Sequence, residues 1–82
     1  MKNVCSPSTA RGVFAANLRR ERLAKGWSQM TLADHAGLHF TYVSSVECSK
    51  RNVSIDAMDC LARALGVDLA LLLKVAKEAR QG

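Results

Sequence analysis

Between Ser28 and Val46 the chain reads SQMTLADHAGLHFTYVSSV, and the lone glycine near its centre limits how this stretch can fold. Ser28 is a good N-cap, because its side-chain oxygen can accept an orphan backbone N–H of the first turn, and helix-compatible residues follow to Ala36. Leu32 and Ala33 then face inward. Gly37 stands where a chain leaving a helix needs positive φ, and a second helical pattern runs from about Phe40 to Cys48. Two helices joined by so short a turn must cross steeply.

At about 100° per residue, Val43, Val46 and Glu47 share one side of the second helix. Thr41 and Ser45 point the opposite way, flanked by Tyr42 and Ser44. A solvated face in a chain carrying a net charge of +5 is more often charged. A small, uncharged, hydrogen-bonding face suggests a surface that meets a partner.

Upstream, a helix is expected from about Arg11 to Lys25, with Phe14, Leu18 and Arg22 on one stripe and Gly26 as its stop. Arg22 is the odd member of that stripe, as Glu47 is of the inward face of its own helix. A buried charge survives only with a partner, so the economical inference joins Arg22 to Glu47; the alternative is that both snorkel to water. Downstream, Ser49-Lys50-Arg51-Asn52 forms a polar basic loop whose cations could reach phosphates or simply be solvated.

Ser54 caps a fourth helix, Ile55 to about Leu65, whose Ile55, Met58, Leu61, Ala62 and Leu65 form an apolar stripe before Gly66. Asp68 can cap a last helix that continues through Lys74, Lys77, Glu78 and Arg80. Leucines lie nearly all round its first turns. One core face cannot bury them all, so a second copy of the chain is expected to cover Leu69, Leu72, Leu73, Val75 and Ala76.

Eighty-two residues make one domain at the small end of what buries a self-sufficient core. A pI near 9.6 favours a polyanionic partner, while aromatic residues at 5% of the chain make stacking on single-stranded bases a poor first choice. The three cysteines, Cys5, Cys48 and Cys60, are odd in number and lack a C-x-x-C pair, which argues against a disulfide framework or structural zinc and for a reducing cytoplasm. His35 and His39 could join Cys48 as ligands in principle, but one belongs on a helix surface and the other at a helix start, so no metal is expected. Cys48 retains a possible redox role. The opening MKNVCSPST has no apolar run of signal-peptide length, and Leu69 to Leu73 is far shorter than a bilayer span.

These residues also carry a resemblance. Gln29, Leu32, Ala33, Gly37, Val43, Val46 and Glu47 occupy the positions that define the helix-turn-helix of the Cro and phage-repressor type, the XRE family, which the chain resembles over about Phe14 to Leu73. Within that family HFTYVSSVECSKRNVSI is similar to the controller proteins of restriction-modification systems, which carry an Arg-Thr-Tyr-Ile-Ser segment, a Glu and an Arg-Asn loop. Phe40 replaces the usual Arg that reads guanine, and Cys48 replaces a second Arg. Where the wider family ends its recognition helix with Gly, this chain has Ser49, whose left-handed conformation would cost roughly 1 kcal/mol, so a differently built turn is expected.

The resemblance implies an all-α, five-helix, lambda-repressor-like domain over residues 11–82 behind a flexible tail at 1–10. It implies a cytoplasmic, non-enzymatic regulator without cofactor, bound as a homodimer to double-stranded DNA, with RNA polymerase as a further partner. Thr41 and Ser45 would meet base edges, Tyr42 and Ser44 the groove walls, and Gln29 a phosphate. His39, Phe40, Lys50, Arg51 and Asn52 complete the DNA-facing set; Phe40 could touch a thymine methyl or pack inward. The resemblance also places the family's buried ion pair on Arg22 and Glu47. Alternatives are a phage-type repressor or antitoxin-like autoregulator and, in a different class, a protein-binding module that uses Phe40 and Tyr42.

Overall fold

The computed structural model describes residues 9–75, which form five helices and, among those residues, no strand. Helix α1 spans Ala10–Ala24, α2 Gln29–Ala36, α3 Phe40–Glu47, α4 Ile55–Leu65 and α5 Leu69–Leu72. The expected all-α architecture is therefore present, and no described helix is long and apolar enough to cross a membrane.

Helix starts follow local chemistry. Thr9, Ser28 and Ser54 each accept a backbone N–H three residues on, from Gly12, Thr31 and Ala57. Asp68 departs from expectation: it occupies the cap position of α5, but its side chain makes no capping bond.

Four helix ends share one device, in which a left-handed residue turns the chain and two backbone bonds close the last turn. At the end of α2, Gly37 has φ 72°, its N–H donates to Asp34 O, and Leu38 N–H donates to Ala33 O. The end of α3 corrects the expectation of a differently built turn. Ser49 itself takes φ 60°, with Ser49 N–H donating to Val46 O and Lys50 N–H to Ser45 O. The backbone bonds and the burial of Ser49 hold an L-residue where glycine would sit without strain.

Phe14, Leu18, Leu32, Val43, Val46, Leu61, Leu65 and Leu72 form a single core to which all five helices contribute. Burial of each such side chain stabilises by about 1.5–3 kcal/mol, and this core holds α2 and α3 against α1 and α4. Ile55 is not part of it. At the first position of α4 its side chain lies beyond the packed region, 67% exposed, and Ala57 takes an inward place instead.

The last helix is the largest departure from the sequence reading. It ends at Leu72, with i→i+3 bonds from Leu73 N–H to Ala70 O and from Lys74 N–H to Leu71 O. Asn17, buried on α1, explains why: its Nδ2 donates to Leu72 O at 2.9 Å and to Lys74 O at 2.8 Å, carbonyls that a continuing helix would use itself. Lys77, Glu78, Arg80 and Ala76 lie outside the described residues. Leu72 is 0% exposed, so the chain's own core encloses it and it is not available to a second copy. Leu69 packs against the same core, whereas Leu73 and Val75 stand exposed.

Candidate nucleic-acid interface

Helix α3 is anchored on its inward side by two apolar side chains and one carboxylate. Val43 and Val46 are buried in the core. Glu47 then receives two parallel bonds from Arg22, Nε to Oε2 at 2.7 Å and Nη2 to Oε1 at 2.9 Å. Arg22 Nη1 also donates to Trp27 O at 2.8 Å, which ties the α1–α2 turn to the same group. The hydrogen bond to Glu47, and then its charge, raise the Arg22 guanidinium above its already high ordinary value, against the opposing effect of burial.

Gln29 does not stand free at the start of α2. Its Nε2 donates to Glu47 Oε1 at 3.0 Å, so its amide completes the charged cluster. What remains for an anion at that helix start is backbone N–H and the positive end of the helix dipole.

The opposite side of α3 carries the polar set. Thr41 is exposed, and His39, the N-cap of α3, accepts the Thr41 backbone N–H on Nδ1 at 3.2 Å. The same Nδ1 lies 2.8 Å from the Thr41 hydroxyl. Phe40 is 39% exposed and outside the core, which answers the question of whether it packs inward. Tyr42 is half-buried, its ring packing against the core and its hydroxyl accepting the Ser54 N–H at 3.4 Å. Ser44 is half-buried as well.

Ser45 and Arg51 are placed differently from the sequence expectation. Ser45 is not a free outward hydroxyl: it donates to Tyr42 O at 3.0 Å and accepts from Arg51 Nε at 2.9 Å. Arg51, expected to reach away toward a phosphate, folds back with its guanidinium carbon 4.8 Å from the centre of the Tyr42 ring. The left-handed turn at Ser49 produces this reversal by bringing the loop back over the last turn of α3. Lys50 and Asn52 are exposed, and the Asn52 Oδ1 accepts from Arg11 Nη2 on α1.

Three participants escaped the sequence reading. Asn17 had a signal, since it lies three residues after Phe14 and one before Leu18 on the apolar side of α1. Arg11 and the stack of Trp27 on His35, with ring centres 4.3 Å apart, had none, because their partners are set by packing. Among the described residues no group of His, Cys, Asp and Glu has the arrangement to hold a metal.

Comparison with known proteins agrees with this architecture. A family described as "Helix-turn-helix domain" matches residues 13–75. A hypothetical transcription factor of Neisseria meningitidis serogroup B is 46% identical over 63 residues, 77% of this chain, but the match spans only 59% of that relative. Control protein C.SmaI of Serratia marcescens is 41% identical over 61 residues, covering 74% of this chain and 73% of its own. Among solved structures, the hypothetical transcription factor NHTF from Neisseria superposes with a TM-score of 0.84 at 37% identity, covering 99% of this chain and 93% of that one. The restriction-modification controller protein C.AhdI from Aeromonas hydrophila does so at 0.73 and 44% identity, over 76% of this chain and 94% of its own.

Proposed function

The chain belongs to the helix-turn-helix family of DNA-binding transcription regulators and is similar to restriction-modification controllers, and from that footing we propose that it binds one operator sequence as a homodimer. The observation that carries the reading is the division of α3 into two faces. Its inward face is held by Val43, Val46 and the Arg22–Glu47–Gln29 cluster, while its outward face presents Thr41, Ser45 and Tyr42 beside Arg51.

A rigid helix bearing short hydrogen-bonding side chains and one guanidinium suits the major groove, where base edges offer donors, acceptors and the thymine methyl. In the bound state Thr41, Ser45 and Arg51 would meet bases, Phe40 a methyl group, and Lys50, Asn52 and the backbone at the start of α2 the phosphates. Two copies related by a two-fold axis would present two such helices about 34 Å apart, matching half-sites one helical turn apart. The exposed Leu73 and Val75 supply the apolar surface for that pairing. Regulation would follow from where the dimer sits relative to RNA polymerase, in the reducing cytoplasm that three unpatterned cysteines suit.

One feature favours the runner-up, a protein-binding module: an exposed Phe40 is an unusual side chain to present to a polyanion. Selection of duplexes from a random pool, followed by binding at rising salt, separates the two. DNA binding would weaken steeply with salt, whereas a partner held by aromatic anchors would respond little. Failure to enrich any duplex sequence would remove the regulator reading.

A further inference from the structure

Arg11 lies outside the helix-turn-helix, at the start of α1, yet its side chain reaches 41 residues along the chain to Asn52 in the loop after α3. Asn52 directly follows Arg51, whose guanidinium lies on the outward face of α3 against Ser45 and Tyr42. Arg11 and Arg51 thus both meet the loop after α3 and its edge of that face, and the same loop carries the exposed Lys50. The three ion pairs among the described residues use Arg20, Arg22 and Arg63, so none of this group is neutralised by a described acidic side chain.

The contact also sets the direction of the Asn52 amide. Its Oδ1 accepts from Arg11, which leaves the amide N–H pair directed away from α1 as donors. Arg11 spends only part of its five-donor fork on Asn52. An amide and a guanidinium at one loop edge make a surface for the oxygen atoms of a phosphodiester, which reads no base.

We propose that Arg11, oriented by Asn52, contacts a backbone phosphate beyond the reach of the helix-turn-helix itself and so lengthens the stretch of duplex that each protomer grips. The proposal rests on the DNA-binding reading. Because a phosphate contact is independent of sequence, an arbitrary 30-base-pair duplex is a sufficient probe, titrated by fluorescence anisotropy between about 50 and 200 mM salt.

For each protomer on the duplex, Arg11→Gln is expected to bind more weakly at low salt and to flatten the slope of log affinity against log salt by about 0.9, which is one phosphate contact, so that its deficit against the wild type narrows roughly threefold from about 50 to 200 mM. Arg11→Lys keeps the charge and should keep the slope. Thr41→Ala, which alters no charge, should leave it unchanged. A wild-type slope in folded Arg11→Gln overturns the proposal while the DNA-binding reading stands. Equal flattening by Arg11→Gln and Arg11→Lys also overturns it, since Arg11 would then act only by holding the loop. If the wild-type protein shows no salt-dependent affinity for duplex, both readings fail together.

Discussion

Arg22 and Glu47 meet as a two-pronged fork between α1 and α3, their side chains 9% and 2% exposed, with Gln29 adding a third bond to the same carboxylate. Such a pair contributes little over an apolar replacement, but breaking one half strands a charge in the interior. Glu47→Ala should therefore cost about 3–5 kcal/mol in urea unfolding. Glu47→Gln, which keeps an acceptor, should cost less. A raised guanidinium pKa contributes stability below its unfolded value and loses it only as pH rises through the still higher folded one, so no alkaline loss from this pair is expected in the working range. An unchanged urea midpoint for Glu47→Ala would count against the fork.

Gly37 isolates the backbone contribution of the α2–α3 turn. An added Cβ there would meet nothing within 4 Å, so Gly37→Ala introduces no clash and only the left-handed strain at φ 72°. The expected loss is about 1–2 kcal/mol, which for a domain of this size lowers the melting temperature by at least several degrees. A neutral substitution would mean that the turn relaxes to another geometry.

Asn17→Ala removes the side chain that terminates α5 and leaves the carbonyls of Leu72 and Lys74 without their α1 donor. Stability should fall by about 1–3 kcal/mol, the usual range for a buried group left unsatisfied. Amide hydrogen exchange should accelerate around α5 before it does so in α2 and α3. Uniform acceleration throughout the domain would show that α5 does not loosen separately.

The two faces of α3 predict that reading and folding separate. Thr41→Ala should change stability by no more than about 0.5 kcal/mol while weakening the selected operator by about 1–3 kcal/mol, with arbitrary duplex unaffected. Ser45→Ala should show the same loss of preference with a stability cost of about 1 kcal/mol, because two hydrogen bonds are removed. Arg51→Ala should lower both affinity and preference, as expected of a cation lying on the reading face. Operator preference that survives all three changes in a folded protein would mean that another element reads the sequence.

Sedimentation at micromolar concentration should give twice the chain mass. Leu73→Asp or Val75→Asp should shift it to one chain mass while leaving the fold intact, since both side chains are exposed. Mass that stays at a single chain in the wild type, with and without operator, would remove two-fold recognition.

What the amino-acid sequence determined by itself was local. Ser28 and Ser54 start helices, and Gly37 and Gly66 end them, because capping partners lie within five residues and depend on nothing else. The inward placing of Phe14, Leu18, Leu32, Val43 and Leu61 was equally legible, since helical period alone assigns a side. Two charges set among apolar positions, Arg22 and Glu47, were visible as an anomaly in search of a partner. The tertiary structure decided whatever depends on which distant group arrives first. Asn17 ends α5 from 55 residues away, Leu72 is enclosed rather than offered to a partner, and Arg51 turns onto Ser45 and Tyr42 because Ser49 accepts a left-handed backbone. The place of Asn17 on the apolar side of α1 marks it as unusual but names no partner, and neither the enclosure of Leu72 nor the turn of Arg51 has a period or a local motif, because packing alone brings these groups into range.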